Sequence, residues 1–125
     1  MIKINTKGYK EKIVTKNDSA SKMKSGNLDV FATPCMIALM ENTCSESVAP
    51  FLEKGYDTVG IEVNVKHISA TGINKKVWCE SLLINITKNI LDFEIKAYDE
   101  KGLIGLGIHK RAIINIEKFL SKVKN

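Results

Sequence analysis

Four segments in the second half of the chain alternate between apolar and polar residues with a period of two. Such alternation is typical of β-strands that bury one face, and it predicts an antiparallel sheet. The strands are predicted at residues 58–68, 77–87, 91–98 and 103–114. Residues 99–102, Asp-Glu-Lys-Gly, have the composition of a hairpin turn between the last two strands.

One apolar helix is predicted ahead of these strands. Thr33 is a favourable N-cap residue, Pro34 suits the first helical position, and residues 35–40 are all apolar. Pro50 predicts a kink or the end of this helix, with a last turn before Gly55. A single long buried helix followed by long antiparallel strands predicts an α+β fold in which the sheet curls around the helix.

The remaining segments complete a single domain over residues 1–125. Residues 9–15 are predicted as an edge strand and residues 16–27 as a loop, so residues 1–27 form an N-terminal edge strand and a cover loop over the helix start. Asn115 is predicted to cap a short amphipathic C-terminal helix. A domain of this size leaves a sheet edge open, and we therefore expect pairing with a second copy of the chain.

Glu41 places a carboxylate in the apolar helix. The stripe Ile37, Glu41, Cys44 and Val48 follows helical spacing, so Glu41 shares a side with apolar neighbours. A desolvated carboxylate is costly unless it is hydrogen-bonded, paired or used in chemistry. The alternative is a Glu at the edge of the stripe that reaches water at a groove.

His67 is a second polar residue at an apolar position. Val59, Ile61, Val63 and Val65 are predicted to face the helix, and His67 continues their parity. If the sheet wraps the helix, the Thr33 hydroxyl, the Glu41 carboxylate and the His67 imidazole flank one cleft near the helix start. These are the groups that acyl transfer or hydrolysis needs. The alternatives are a structural histidine and a threonine that only caps the helix.

Composition narrows the classes of function. The chain carries 19 Lys and Arg against 14 Asp and Glu, a net charge of +5 that suits any phosphate-bearing partner. The lysines are scattered among glutamates without a basic stripe of exposed rings, which argues against nucleic-acid binding. Two histidines and three cysteines show no metal-ligand spacing, so no metal site is predicted. No apolar run has membrane-spanning length, and we expect a cytoplasmic protein without a membrane partner.

Five runs of sequence carry a family resemblance. They are Val30-Phe31-Ala32-Thr33, Ala38-Leu39-Met40-Glu41, residues 65–71 (VKHISAT), residues 109–114 (HKRAII) and Ile116-Glu117-Lys118-Phe119. In this order and spacing, from about residue 28 to the C-terminus, they resemble the hotdog-fold thioesterases related to fluoroacetyl-CoA thioesterase. The resemblance implies a homodimer that hydrolyses an acyl-CoA thioester, with coenzyme A as part of the substrate and no other cofactor.

The resemblance also implies roles for five residues. Thr33, Glu41 and His67 match the family's catalytic trio. Glu41 would attack the thioester or activate water, His67 would carry protons, and Thr33 would orient the carboxylate or the acyl group. Gly60 matches the position that offers a backbone N–H to the thioester oxygen, with a strand bulge as the alternative. Arg111 matches a family arginine that would hold the phosphates of the cofactor or form a structural ion pair; His109 is interpreted as structural.

One departure from the family limits the substrate. The fluoroacetyl-specific member closes its acyl pocket with aromatic residues from the segment before the helix, and residues 23–28 here contain none. Fluoroacetyl-CoA is therefore not the expected substrate, and a small or medium acyl group is. A non-catalytic acyl-CoA-binding or sensing module on the same fold is the alternative function.

Overall fold

The computed structural model describes residues 1–124, so the last residue of the predicted domain, Asn125, lies outside it. The chain begins with one strand and two helices, and four consecutive strands and a C-terminal helix follow. In chain order the elements are β1 (Lys7–Ile13), α1 (Ala20–Met23), α2 (Thr33–Val48), β2 (Tyr56–His67), β3 (Lys76–Thr87), β4 (Ile90–Asp99), β5 (Gly102–Asn115) and α3 (Ile116–Val123). Short 3₁₀ turns lie at Lys16–Asp18 and at Ala49–Phe51.

The five strands form one antiparallel sheet in the order β1-β3-β4-β5-β2. The long helix α2 packs across one face of this sheet and contacts every strand. The α+β fold predicted from periodicity is therefore confirmed. Strands β1 and β2 form the two edges, and β1 occupies the edge position expected of the N-terminal segment.

The core lies between α2 and the sheet. Its fully buried members come from the helix and from the inner faces of β3, β4 and β5, and include Met36, Met40, Cys44, Val48, Leu83, Phe93 and Ile104. Gly105 on β5 permits close approach, because a Cβ at that position would lie 2.5 Å from the Met36 sulfur. The helix therefore rests directly on the strand that runs beside β2.

Strand β2 contains a bulge that the alternating pattern did not predict. The register with β5 runs through Gly60–Arg111 and then Glu62–Lys110, so Ile61 is an additional residue without a partner. Before the bulge, the even-numbered residues Thr58 and Gly60 point toward the helix. After the bulge, the odd-numbered residues point toward it, and the last of them is His67. The prediction that Thr58 faces away from the helix was wrong, because one inserted residue reverses the facing of every side chain on one side of it.

The segment before α2 also differs from the prediction. Residues 16–27, predicted as loop, contain a 3₁₀ turn and the one-turn helix α1, which Ser19 caps by accepting a hydrogen bond from the Lys22 N–H. Backbone hydrogen bonds from Phe31 to Thr71 and from Ala32 to Asp18 tie this segment to the rest of the chain. They fix the entry into α2 and therefore the position of its first residue, Thr33.

The C-terminal helix α3 agrees with the prediction. Asn115 accepts a hydrogen bond from the Lys118 N–H at 3.0 Å, as an N-cap residue does. Its apolar stripe is only partly covered, since Leu120 and Val123 are exposed.

Candidate active site

The first residue pair of the site joins α2 to the end of β2. The Thr33 hydroxyl lies 2.8 Å from Nδ1 of His67. Thr33 was predicted as the N-cap of the helix, and this was wrong: the helix includes Thr33, and the cap position is Ala32, which has no side chain that can bond the backbone. The Thr33 hydroxyl is therefore free to fix the imidazole.

His67 is half-buried beside Thr33. Burial lowers the pKa of His67 below the ordinary 6.5, which favours the neutral ring. Nε2 is buried and has no hydrogen-bond partner among the described residues. A buried polar atom without a partner is uncommon. Thr33 and His67 both line a shallow pocket.

The second group of the site surrounds Gly60. A Cβ placed on Gly60 would lie 2.7 Å from Oε2 of Glu41, 3.1 Å from Cε1 of His109 and 3.4 Å from Nη1 of Arg111. The half-buried carboxylate, the imidazole and the guanidinium thus meet at the one residue of β2 that lacks a side chain. Glu41 does not lie on a solvated face, in agreement with the helical stripe.

The Arg111 side chain is fixed by contacts with residues of the same chain. Its Nε donates to the Thr58 hydroxyl at 2.8 Å, and Nη2 donates to the Thr58 carbonyl at 2.9 Å. Its Nη1 lies 3.1 Å from Nε2 of His109. Arg111 is 7% exposed, and no carboxylate lies within 4 Å of it among residues 1–124. A buried cation without an ion pair is costly unless the polar groups around it, or a ligand, compensate for the lost water.

A single chain does not bring the predicted trio to one point. Thr33 and Glu41 are eight residues apart on α2, about 12 Å along the helix axis. Gly60 and His67 lie near opposite ends of β2, about 20 Å apart at the usual rise per residue. The residues predicted for the site therefore fall into two separate groups, Thr33 with His67 and Glu41 with Gly60 and Arg111, which we call half-sites.

The sequence did not predict that Thr58 and His109 contact Arg111. His109 and Arg111 have the same parity on β5 and are both buried, but most apolar residues of that strand have the other parity, so alternation did not predict their burial. Thr58 was assigned to the wrong face because the bulge at Ile61 was not predicted. Only the pairing of β2 with β5 brings Thr58 beside Arg111.

The described residues give less support to a metal site, a reactive thiol or a membrane-spanning helix. Within residues 1–124, no group of His, Cys, Asp or Glu side chains has the arrangement of a metal site. Burial raises the pKa of Cys79 to about 11 and that of Cys44 beyond its ordinary range, so both thiols stay protonated in the core. No helix in the described part of the chain is long and apolar enough to cross a membrane.

Comparison with known proteins identifies the class. A long helix packed on a five-stranded antiparallel sheet is the arrangement of the hotdog-fold thioesterases. The family model described as fluoroacetyl-CoA-specific thioesterase matches residues 14–117, and the chain belongs to this family. The predicted family, fold and enzyme class are therefore confirmed.

Individual relatives agree with this assignment. The fluoroacetyl-CoA thioesterase of Streptantibioticus cattleyicolor is 38% identical over 96 residues, which cover 77% of this chain and 69% of that protein. The solved structure of fluoroacetyl-CoA thioesterase FlK superposes with a TM-score of 0.94 at 28% identity, covering 99% of this chain and 96% of the other. A thioesterase superfamily member from Thermus thermophilus superposes with a TM-score of 0.91 at 25% identity, covering 99% and 92%.

Proposed function

We propose that this chain hydrolyses the thioester of a small or medium acyl-CoA, with Thr33, Glu41 and His67 as its catalytic residues. The observation that carries the proposal is the 2.8 Å contact between the Thr33 hydroxyl and Nδ1 of His67, two residues that line the same pocket. Support for a CoA thioester also comes from FlK, a variant of which was solved in complex with acetyl-CoA. The overall reaction converts an acyl-CoA and water to a carboxylic acid and free CoA thiol.

The proposed catalytic unit is a homodimer formed through β2. One edge of β2 pairs with β5, and the other has no strand beside it among the described residues. Ile61 and Val63 on this strand are 51% and 37% exposed. An open edge with apolar side chains is a surface that a second strand would cover.

A two-fold arrangement of this kind would join the two half-sites. In an antiparallel pairing centred on Asn64, with Ile61 as the unpaired residue of the bulge, Gly60 lies opposite His67 of the partner subunit. An axis perpendicular to the sheet keeps both long helices on the same face. Glu41, Gly60 and Arg111 of one subunit then share a site with Thr33 and His67 of the other.

The proposed mechanism divides the work between these groups. The Glu41 carboxylate either attacks the thioester carbonyl carbon, giving a mixed anhydride that water cleaves, or takes a proton from the attacking water. His67, neutral because burial lowers its pKa, relays the proton that the CoA thiolate needs on leaving. The Gly60 N–H is assigned to the carbonyl oxygen, and the missing side chain leaves room for the substrate.

Arg111 is assigned to Glu41 rather than to the phosphates of CoA. Its guanidinium is buried, and its nitrogens bond to Thr58 and His109, whereas the nucleotide end of CoA is highly charged and stays in contact with water. A fixed positive charge beside Gly60 stabilises the carboxylate and the negative charge that develops on the reacting carbonyl.

The acyl group is assigned to the pocket beside Thr33 and His67. The pocket has a volume of about 280 Å³, and its other lining residues are mostly small: Ala20, Ser25, Val30, Phe31, Ile68, Ser69 and Ala70. Phe31 is the one phenyl ring in this lining, and it is buried in the core. A pocket without an aromatic cover accepts acyl groups larger than fluoroacetyl.

The experiment is thiol release from a panel of acetyl-, branched, medium-chain, aromatic and fluoroacetyl-CoA. Glu41→Ala should lower kcat by about a hundredfold or more, as expected for removal of a general base or nucleophile. Glu46→Ala is the matched control, because Glu46 lies on the same helix with an exposed carboxylate paired to Lys10. Equal turnover by the two variants contradicts the role of Glu41, and binding without turnover by the native protein indicates an acyl-CoA sensor.

A mixing experiment tests whether the site is shared between subunits. Glu41→Ala and His67→Ala are each expected to be inactive. When they are denatured and refolded together, half of the dimers are mixed, and each mixed dimer contains one intact site if the half-sites come from different subunits. Activity should then return to about a quarter of the native value. Recovery of no activity would show that each chain uses its own residues.

A further inference from the structure

His109 is fully buried, and both of its ring nitrogens have partners. Nδ1 lies 2.8 Å from the Glu62 carbonyl oxygen, and Nε2 lies 3.1 Å from Nη1 of Arg111. A carbonyl oxygen only accepts hydrogen bonds, and a guanidinium only donates them. The proton of His109 must therefore be on Nδ1, and Nε2 must be the acceptor.

This arrangement leaves the Arg111 guanidinium little freedom to rotate. Thr58 holds one side through its hydroxyl and its carbonyl, and His109 holds the Nη1 end. The same nitrogen lies 3.4 Å from the Cβ position of Gly60, which is 2.7 Å from Oε2 of Glu41. The end of the guanidinium that His109 holds therefore lies near Gly60, as does the proposed catalytic carboxylate of Glu41, with more than 4 Å between the two charged groups.

We propose that His109 is a positioning residue that acts through Arg111, accepting a hydrogen bond from Nη1 and so keeping the guanidinium beside Glu41. The proposal rests on the proposed function and adds to it a residue that the sequence had suggested to be structural. Loss of the acceptor would let the guanidinium turn away from Gly60, and the stabilising charge would move out of the site.

The surroundings of His109 keep it neutral, as this role requires. The ring packs against Phe93, with ring centroids 6.4 Å apart, and the charged groups near it are Arg111 and Glu41. Burial is the largest influence and lowers the pKa of His109; the hydrogen bond to the Glu62 carbonyl raises it, Arg111 lowers it and Glu41 raises it, and the net shift is downward. A protonated His109 would direct a second N–H at a cation and could not accept from it.

Two substitutions of similar size separate positioning from packing. His109→Gln keeps a hydrogen-bond acceptor near the former Nε2, whereas His109→Phe fills the space and removes the acceptor. We expect His109→Phe to lower kcat by about tenfold to a hundredfold with little change in KM, and His109→Gln to keep most of the activity. In an Arg111→Met background, His109→Phe should cause no further loss. Equal losses in the two His109 variants, or losses that add in the double variant, would overturn the proposal.

A spectroscopic measurement tests the same contact without activity. Nitrogen-15 NMR of the native protein should show His109 with a proton on Nδ1 and a bare Nε2, and Arg111→Met should shift the Nε2 resonance. A proton on Nε2 would overturn the proposal. If the native protein hydrolyses no CoA ester, the proposed function fails, and the tautomer still decides whether His109 holds Arg111.

Discussion

Gly60→Ala is the perturbation whose effect on the site is best defined by the structure. The added Cβ would lie 2.7 Å from Oε2 of Glu41, against 3.4 Å for the start of ordinary contact, so the carboxylate oxygen must move by about 0.7 Å. The contact with Cε1 of His109, at 3.1 Å, requires a smaller adjustment. The oxygen belongs to the end of a flexible side chain, and it is expected to move first.

The cost of this substitution should therefore appear in catalysis and hardly in stability. Overpacking a rigid core costs about 1 to 3 kcal/mol, but a flexible carboxylate relieves much of it. Replacing Gly by Ala in a strand also returns about 0.5 to 1 kcal/mol by restricting the unfolded chain. The free energy of unfolding should change by less than about 1 kcal/mol. A displacement approaching 1 Å at a reacting group lowers kcat by about tenfold to a hundredfold.

The assay compares kcat for thiol release with the free energy of unfolding from urea titration. Gly72→Ala is the matched control, because the nearest atom to its added Cβ is 4.0 Å away and belongs to the flexible Lys75 side chain. In a Glu41→Ala background, the added methyl group no longer displaces a carboxylate, so Gly60→Ala should lower kcat by a smaller factor than it does in the native protein. Native kcat in Gly60→Ala, or a loss of several kcal/mol in stability, would refute this account of the site.

Three further predictions concern the histidines. Thr33→Val should lower kcat by about tenfold or more because Nδ1 of His67 loses its partner, whereas Thr33→Ser keeps the hydroxyl and most of the rate; similar rates in the two variants would contradict the contact. The value of kcat/KM should fall as the pH drops through the lowered pKa of His67, with a midpoint below 6.5, and a midpoint above 6.5 would contradict the role of burial. Stability should fall in the same direction, since unfolded histidines bind protons from about pH 6.5 downward and the buried rings do not; thermal unfolding at neutral and acidic pH measures this.

Local pattern predicted most of the secondary structure. Strands β3, β4 and β5, the helix α2 and the Asn115 cap of α3 all follow from periodicity and from residues with strong positional preferences. These signals are contained within a few neighbouring residues, so they do not depend on the rest of the fold. The short helix α1 was missed because a single turn has too few residues to show a helical period.

The local sequence pattern did not indicate which side chains contact each other when they are far apart in the sequence. Thr33 is of a residue type that commonly caps helices, yet its hydroxyl is hydrogen-bonded to His67, which is 34 residues away in the sequence. The loop after β2 and the segment before α2 bring these residues together through long-range backbone hydrogen bonds. No pattern within the helix start distinguishes a capping threonine from one that orients an imidazole.

By itself the sequence determined an α+β domain, the order of its elements and the identity of the three candidate catalytic residues, the last through resemblance to a family. Tertiary structure decided which of them meet. The bulge at Ile61 places Gly60 and His67 on the same face of β2 although their numbers differ in parity. Because side chains alternate with a period of two, one unpaired residue decides their facing, and pairing with β5 decides where that residue lies.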